Sequence, residues 1–267
     1  GMIGRTMTAT TFHRHPAAPW VELRESRAAP HCYRLHMHAE YSIGIVDAGA
    51  AVFHHAGGPE RVEAGSVVLI EPGVWHACNP EDGAPWAYRM LFVQADWLCA
   101  QLGVQALRFP ARARHDAAAA QTVHRLCQPL DEAGATAFTG ALLHGVQCFA
   151  EPAQPTQAAP QGTAVAVALR CLHARPEAAP SVQALAQACG MSAPRFIRCF
   201  KAATGVTPGV YRLNLRLNGA RRLLAQGTAL AEAAHAMGFA DQAHLQRAFK
   251  AHHALTPGRY AQSRPGC

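Results

Sequence analysis

Arg198-Cys199-Phe200-Lys201, followed after five residues by Thr207-Pro208-Gly209-Val210-Tyr211, returns as Arg247-Ala248-Phe249-Lys250 and, after the same gap, Thr256-Pro257-Gly258-Arg259-Tyr260. Arg, Phe, Lys, Thr, Pro, Gly and Tyr recur at one offset, 49 residues. Seven identities in register mark two copies of one supersecondary unit. Each copy reads as helix, turn, helix. In the first, Ser181 is an N-cap candidate. Val182, Leu185, Ala186 and Cys189 make a short apolar stripe, and Gly190 supplies a turn that needs positive φ. Ser192 reads as the cap of the next helix, with Pro194 in its first turn, and Phe196 and Phe200 face inward at i, i+4. The second copy runs from Ala229 to Met237, turns at Gly238-Phe239 and restarts at Asp241, which reads as an N-cap rather than a functional acid. Leu245 and Phe249 are its inward pair.

Between the copies, Thr207-Pro208 begins a longer helix through Tyr211, Leu215, Leu217, Ala220, Leu223 and Leu224, which stops at Gly227. A helix of some 18 residues is ~27 Å long. Two recognition helices on one face of DNA must stand about one turn, ~34 Å, apart, so this helix is a fitting spacer.

Working outward, the 267 residues carry a formal charge of +7, are half hydrophobic and 15% charged. That composition excludes a wholly disordered chain. Apolar runs such as Ala164 to Leu169 are far shorter than the ~20 residues of a spanning helix. Thr8 to His15 is polar where a secretory signal would be apolar, and Gly1 before Met2 reads as an expression remnant. The nine cysteines are odd in number and contain no Cys-x-x-Cys pair, which favours reduced thiols in the cytoplasm. The charge is divided: residues 1–161 sum to −3 and residues 162–267 to +10. Glu151 to Gln161, rich in Pro, Ala and Gln, reads as a linker. The expected organisation is therefore a domain over 2–150, a linker over 151–161, and a basic domain over 162–267. A basic surface of that size suits a polyanion such as nucleic acid, or is simply solvated.

The N-terminal part has a different rhythm. Tyr41–Val46, Ala50–Phe53, Ser66–Ile70 and Ala87–Val93 are short strand-like runs. Turn signals at Asp47-Ala48-Gly49, Gly57-Gly58-Pro59, Ala64-Gly65 and Glu71-Pro72-Gly73 separate them, which points to a sandwich or small barrel. Ala111 to Glu132 and Ala137 to Ala150 then read as helices. His36 and His38, two residues apart on a strand, would point to one face. With His76 from a neighbouring strand they could bind a transition metal or zinc, or they could line a small-ligand pocket. Glu40 would fall on the same face.

Two resemblances follow. Ser181-x-x-x-Leu185-Ala186-x-x-x-Gly190-Met191-Ser192, Arg198-x-Phe200-Lys201, Gly205-x-x-Pro208 and Tyr211 resemble the first half of an AraC/XylS-type DNA-binding domain. Ala234-x-x-x-Gly238-Phe239-x-Asp241-Gln242-x-His244-Leu245-x-Arg247-x-Phe249-Lys250 and Thr256-Pro257-x-x-Tyr260 resemble its second half. His36-Met37-His38, Gly65, Pro72-Gly73 and His76 resemble the two halves of a cupin barrel motif, and His38-x-Glu40-Tyr41-Ser42-Ile43-Gly44, Gly49, Gly65-Ser66-Val67-Val68-Leu69-Ile70-x-Pro72-Gly73-x-x-His76 and Trp86-x-Tyr88-Arg89 resemble the sensor barrel of the same regulators. The implied fold class is α+β: a cupin-like β-barrel followed by helices, then an all-α domain with two helix-turn-helix units. The resemblance places Pro194, Ile197, Arg198, Gln242, Ala243, Gln246 and Arg247 against bases. Arg suits guanine and Gln adenine. Arg198 and Arg247 could instead form structural ion pairs in the bundle. Arg195, Lys201, Arg221 and Lys250 are either phosphate contacts or solvated charges.

The resemblance implies a cytoplasmic, bacterial, one-component transcription regulator that binds double-stranded promoter DNA. A small-molecule effector would bind in the barrel near His36, His38, Glu40 and His76, with no cofactor required and a transition metal or zinc as an optional occupant. Residues 111–150 lie where such regulators form homodimers, or they pack within their own domain. RNA polymerase is a conceivable partner, and a membrane is not expected. The competing classes are a metal-dependent cupin oxygenase or isomerase fused to a DNA module, and an architectural DNA binder without a sensor. No catalytic residue is expected under the leading reading.

Overall fold

A computed structural model describes residues 9–29, 33–154 and 163–263. Residues 9–154 belong to one compact unit and residues 163–261 to a second. The first contains β1 (Ala9–His13), β2 (Val21–Ala29), β3 (Tyr41–Ala48), β4 (Ala50–His55), β5 (Gly58–Glu63), β6 (Val67–Ile70), β7 (Ala77–Pro80) and β8 (Trp86–Val93). It continues through α1 (Ala95–Leu102), β9 (Ala106–Arg108), β10 (Ala113–Arg114), α2 (Ala117–Leu126), α3 (Glu132–Gln147) and β11 (Glu151–Ala153). A six-stranded antiparallel sheet runs β1-β2-β8-β3-β6-β10, and a three-stranded sheet runs β5-β4-β7. Strand β3 sits between β8 and β6, with Ser42 opposite both Phe92 and Ile70.

The larger sheet is apolar on both faces. Ile43, Ile45, Leu69 and Leu91 pack with Leu98, Val123, Leu142 and Val146 from the three helices. Val46, Val68, Ile70 and Tyr88 pack instead with Ala51, Phe53 and Val62 of the smaller sheet. Burial on both sides explains why Tyr41 to Val46 reads as a continuous hydrophobic run rather than an alternation. The two sheets pack against one another through these side chains.

Two stretches differ from the sequence reading. The helix expected from Ala111 to Glu132 is shorter: Ala113 and Arg114 pair with Val68 and Val67. Helix α2 starts only after Asp116, whose carboxylate accepts from the Ala119 amide at 2.9 Å. Asp131 starts α3 in the same way, accepting from Gly134 at 2.6 Å. An Asp side chain satisfies an orphan amide at a helix start and so sets the boundary. The stretch read as linker from Glu151 begins as strand β11, with Glu151–Ala153 paired to Arg108–Ala106 and Arg108 bonded to the Glu151 carboxylate at 2.7 Å. Residues 155–161 of that linker lie outside the described residues.

The second unit is all helix: α4 (Ala164–Ala174), α5 (Val182–Ala188), α6 (Ala193–Thr204), α7 (Pro208–Ala225), α8 (Leu230–Ala236), α9 (Gln242–His253) and α10 (Pro257–Gln262). The 49-residue repeat is physical. Helices α6 and α9 have 12 residues each. The hydroxyl oxygens of Thr207 and Thr256 accept from the Val210 and Arg259 amides, both at 3.4 Å. Tyr211 stands 5.6 Å from Phe200, and Tyr260 stands 5.5 Å from Phe249, between ring centroids. Phe196, Phe200, Leu245 and Phe249 are fully buried, as the i, i+4 spacing demands. Among the described residues, no helix is long and apolar enough to cross a membrane.

Candidate nucleic-acid interface and barrel cavity

Burying Phe196 and Phe200 turns the opposite face of α6 outward. Pro194, Arg195, Arg198 and Lys201 are exposed, and Ile197 is half-buried at the edge. Helix α9 repeats the arrangement: Leu245 and Phe249 point inward, and Gln242, Ala243, Gln246, Arg247 and Lys250 are exposed. Asp241 caps α9 by accepting from the His244 amide at 2.6 Å. Among the described residues, no ion pair involves Arg195, Arg198, Lys201, Arg247 or Lys250. The ion-pair alternative for Arg198 and Arg247 therefore finds no partner among the described residues.

Arg221 departs from the expectation of a phosphate contact. It is only 4% exposed on the inner side of α7. Its neighbours Ala220 and Leu224 are also buried, so its guanidinium is held within the helical unit. Two further arginines of α7 are structural. Arg212 donates to the carbonyls of Pro176 (3.0 Å) and Glu177 (3.1 Å). Arg216 donates to the Met237 carbonyl at 2.6 Å and stacks over Phe239 at 4.2 Å. The basic charge thus divides into arginines that tie turns to α7 and cations that face outward from α6 and α9.

In the first unit, His36 and His76 form an antiparallel bridge, each amide bonded to the other's carbonyl at 3.0 and 2.9 Å. This brings His36, His38 and His76 together, with candidate ligand atoms all within 4.8 Å of one another. The Nδ1 atoms of His36 and His76 each lie 2.8 Å from a carbonyl two residues upstream, Arg34 and Val74. A carbonyl only accepts, so each Nδ1 carries the hydrogen and each Nε2 keeps its lone pair. That second bond to backbone is the usual support of a metal-binding imidazole. Burial lowers the His76 pKa to about 4, which keeps the ring neutral and competent as a ligand at neutral pH. Glu40 lies outside this cluster. Residues 37–40 leave the strand conformation after the bridge at His36, so the same-face argument for Glu40 does not apply. The histidines fit a transition metal or zinc as three neutral nitrogen donors, without a carboxylate.

The same histidines line a cavity that is partly open to solvent. Ile45, Val46, Val68, Ile70, Met90 and Phe92 make it largely apolar. Arg24, Tyr33 and Tyr88, which sequence reasoning did not single out as ligand contacts, form its polar end. Arg24 is 6% exposed and donates from Nη2 to the Tyr33 hydroxyl at 2.6 Å. Tyr88 donates to the same oxygen at 3.1 Å. Arg89 also borders the cavity, but its Nε and Nη2 grip the Asp47 carboxylate at 2.9 and 2.7 Å. Its Nη1 donates to the Cys127 carbonyl at the end of α2 at 2.6 Å.

A basic unit with two helix-turn-helix elements and a second unit with a cavity are the parts of a DNA-binding transcription regulator with a ligand-binding domain. Comparison with known proteins agrees. Residues 185–263 match the model of a helix-turn-helix domain, and residues 19–146 match that of the AraC-like ligand binding domain. The chain thus joins an AraC-like ligand binding domain to a helix-turn-helix domain, as AraC-type transcription regulators do. It is 25% identical over 222 residues to the uncharacterized HTH-type transcriptional regulator YbfI of Bacillus subtilis, covering 79% of this chain and 80% of that one. It is 37% identical over 97 residues to a putative AraC-like transcription regulator of Streptomyces lividans, covering 36% of this chain and 32% of that one. In fold it is similar to apo ToxT K231A from Vibrio cholerae, with a TM-score of 0.58 and 11% identity over 91% of this chain and 97% of that one.

Proposed function

We propose that α6 and α9 enter successive major-groove segments of promoter DNA. In this reading Pro194, Ile197, Arg198, Gln242, Ala243, Gln246 and Arg247 face bases, and Arg195, Lys201 and Lys250 neutralise phosphates. One observation carries it: the outward faces of two repeated helices present cations and amides that the described part of the bundle does not engage in ion pairs. The first helix reads mainly through Arg198, because Pro194 and Ile197 offer no side-chain donor and contact thymine methyls instead. A mobility-shift assay tests this. Arg247→Ala is expected to weaken specific binding and relax base preference, and unchanged binding would remove Arg247 from the interface.

The barrel holds the small-molecule effector, and occupancy shifts the population of DNA-competent chains. The histidine cluster gives a transition metal or zinc a place in the same cavity. The outward side of α3, with small residues at Ala133, Ala137 and Gly140, supports homodimerisation through that helix, which sedimentation of the full chain measures. Contact with RNA polymerase and a cytoplasmic location complete the reading. A regulator is favoured over a cupin enzyme because Glu40, the acid an oxygenase or isomerase site would recruit, stands outside the histidine cluster.

A further inference from the structure

We infer that the cavity of the first unit takes an apolar molecule bearing a carbonyl oxygen, and that Trp86 selects it by donating a hydrogen bond from Nε1. This deepens the reading of the cavity as the effector site and rests on it. Trp86 opens β8 and turns to the same side of the strand as Tyr88, two residues on. It is 3% exposed and borders the cavity. Its Nε1 is buried and has no hydrogen-bond partner among the described residues. An indole N–H can only donate, and leaving a buried donor unmet is costly. Such groups are rare in folded proteins, and each one needs a reason.

The packing around the indole explains why the protein does not meet the N–H itself. One face of the ring stacks on Tyr88, with centroids 4.4 Å apart and planes 27° from parallel. The other buried residues of the same cluster are Val46, Ala51, Phe53, Val62, Val68 and Ile70. None of these six carries a side-chain acceptor. The N–H lies in the ring plane, so an acceptor reaches it at the edge and leaves the stack intact. When solvent fills the cavity, water can accept from it. A ligand with a carbonyl then exchanges one hydrogen bond for another, whereas a hydrocarbon strips it away. A site that holds a buried donor therefore rejects the analogue without the acceptor.

The body of the ligand follows from the floor of the cavity. Gly44 on β3 and Met90 on β8 are register partners, and both border the cavity. A Cβ at position 44 would lie 2.7 Å from both Sδ and Cε of Met90. The missing side chain of Gly44 is thus what lets the thioether lie across the neighbouring strand. Methionine is unbranched and adapts its shape to what it packs against. With Val46, Val68 and Ile70 beside it, the floor is apolar and deformable. A sugar or polyol would set most of its hydroxyls against hydrocarbon at a cost. A ketone or ester places one oxygen at Trp86 and directs the rest of the molecule toward Met90.

The test titrates acetophenone and ethylbenzene, which differ by a carbonyl against a methylene, into the full-length chain labelled with 15N-tryptophan. The chain has four tryptophans, so its indole N–H signals in the 15N–1H NMR spectrum are few enough to assign. Trp86→Phe identifies the signal of Trp86, and should that variant not fold, Trp20→Phe, Trp75→Phe and Trp97→Phe identify it by elimination. Acetophenone is expected to move the Trp86 N–H signal downfield, and ethylbenzene is expected to bind without doing so. In Trp86→Phe, which keeps an aromatic ring and loses the donor, the ratio of acetophenone to ethylbenzene affinity is expected to fall roughly fivefold, the worth of one neutral hydrogen bond. If both probes bind and acetophenone leaves the Trp86 signal in place, the inference is overturned and the cavity remains a binding site. An unchanged affinity ratio in folded Trp86→Phe has the same consequence. Binding of neither probe overturns the inference together with the effector reading, so the two failures are distinguishable.

Discussion

His36 and His76 lie directly opposite one another, joined by both backbone hydrogen bonds of one antiparallel bridge. The pairing ties the segment before β3 to the segment before β7, which are 40 residues apart in sequence. The imidazoles meet as a consequence of the backbone, with ring centroids 4.4 Å apart. A metal with ~2.1 Å bonds to nitrogen would draw the three rings slightly inward from this arrangement.

Titrating the chelator-treated protein with Co(II) is therefore expected to give visible d–d bands saturating near about one ion per chain. His36→Ala and His38→Ala should each weaken binding by roughly tenfold or more. Absence of the bands in the parent chain would exclude this metal site.

The two classes of arginine and lysine should separate in salt. Lys250→Ala is expected to weaken DNA binding evenly across sequences and to reduce the slope of log affinity against log salt by about 1. Arg221→Ala should leave that slope unchanged and lower the melting temperature instead, because Arg221 is buried in the bundle. A slope change for Arg221→Ala without thermal destabilisation would return it to the phosphate contacts.

Gly190 and Gly238 turn the two helix-turn-helix units, with φ of +64° and +71°. A Cβ at Gly190 meets nothing within 4 Å, whereas one at Gly238 would sit 2.5 Å from the Glu177 carbonyl oxygen. Gly190→Ala should cost about 1–2 kcal/mol, the price of a left-handed alanine. Gly238→Ala should cost more, by roughly 1–3 kcal/mol, since backbone must move. Urea unfolding of both variants gives the comparison.

Helices α6 and α9 end at equivalent positions in the left-handed conformation, Gly205 with φ +84° and Ala254 with φ +62°. Glycine relieves the Cβ strain at such a C-terminus. Ala254→Gly should therefore stabilise the second unit by about 1 kcal/mol, and Gly205→Ala should destabilise it by a similar amount. A lower denaturation midpoint for Ala254→Gly would contradict this account.

Much of the second unit was legible because its signals are local. Caps at Ser181, Thr207 and Asp241, turn glycines, and inward pairs such as Phe196 and Phe200 operate within a few residues, and the repeat states the Thr207 cap and the inward pairs twice. Arg221 was misplaced because exposure within a helix depends on the tertiary partners of α7. The barrel was legible where strands are apolar, as in β3 and β6. Strand β2 was missed because Glu22, Arg24, Glu25 and Arg27 mask the alternation of Val21 and Leu23. Arg24 and Ser26 point inward and are polar, which breaks the pattern that marks a half-buried strand. The histidine cluster was visible from spacing, but its exclusion of Glu40 depends on a backbone that leaves the strand after His36.

Helix α7 carries 18 residues between the capping Thr207 and Gln226. Besides length, it sets angular phase. Adding or removing one residue would rotate everything beyond it by about 100° around the axis, whereas a shift of a whole turn nearly restores the heading and moves it ~5.4 Å. Arg212 and Arg216, one turn apart, clamp carbonyls at the approach to α5 and at the end of α8 respectively. Both units are thus indexed to one shaft. The permissible spacings between them come in steps rather than as a continuum, and so do the half-site separations such a pair of readers can address.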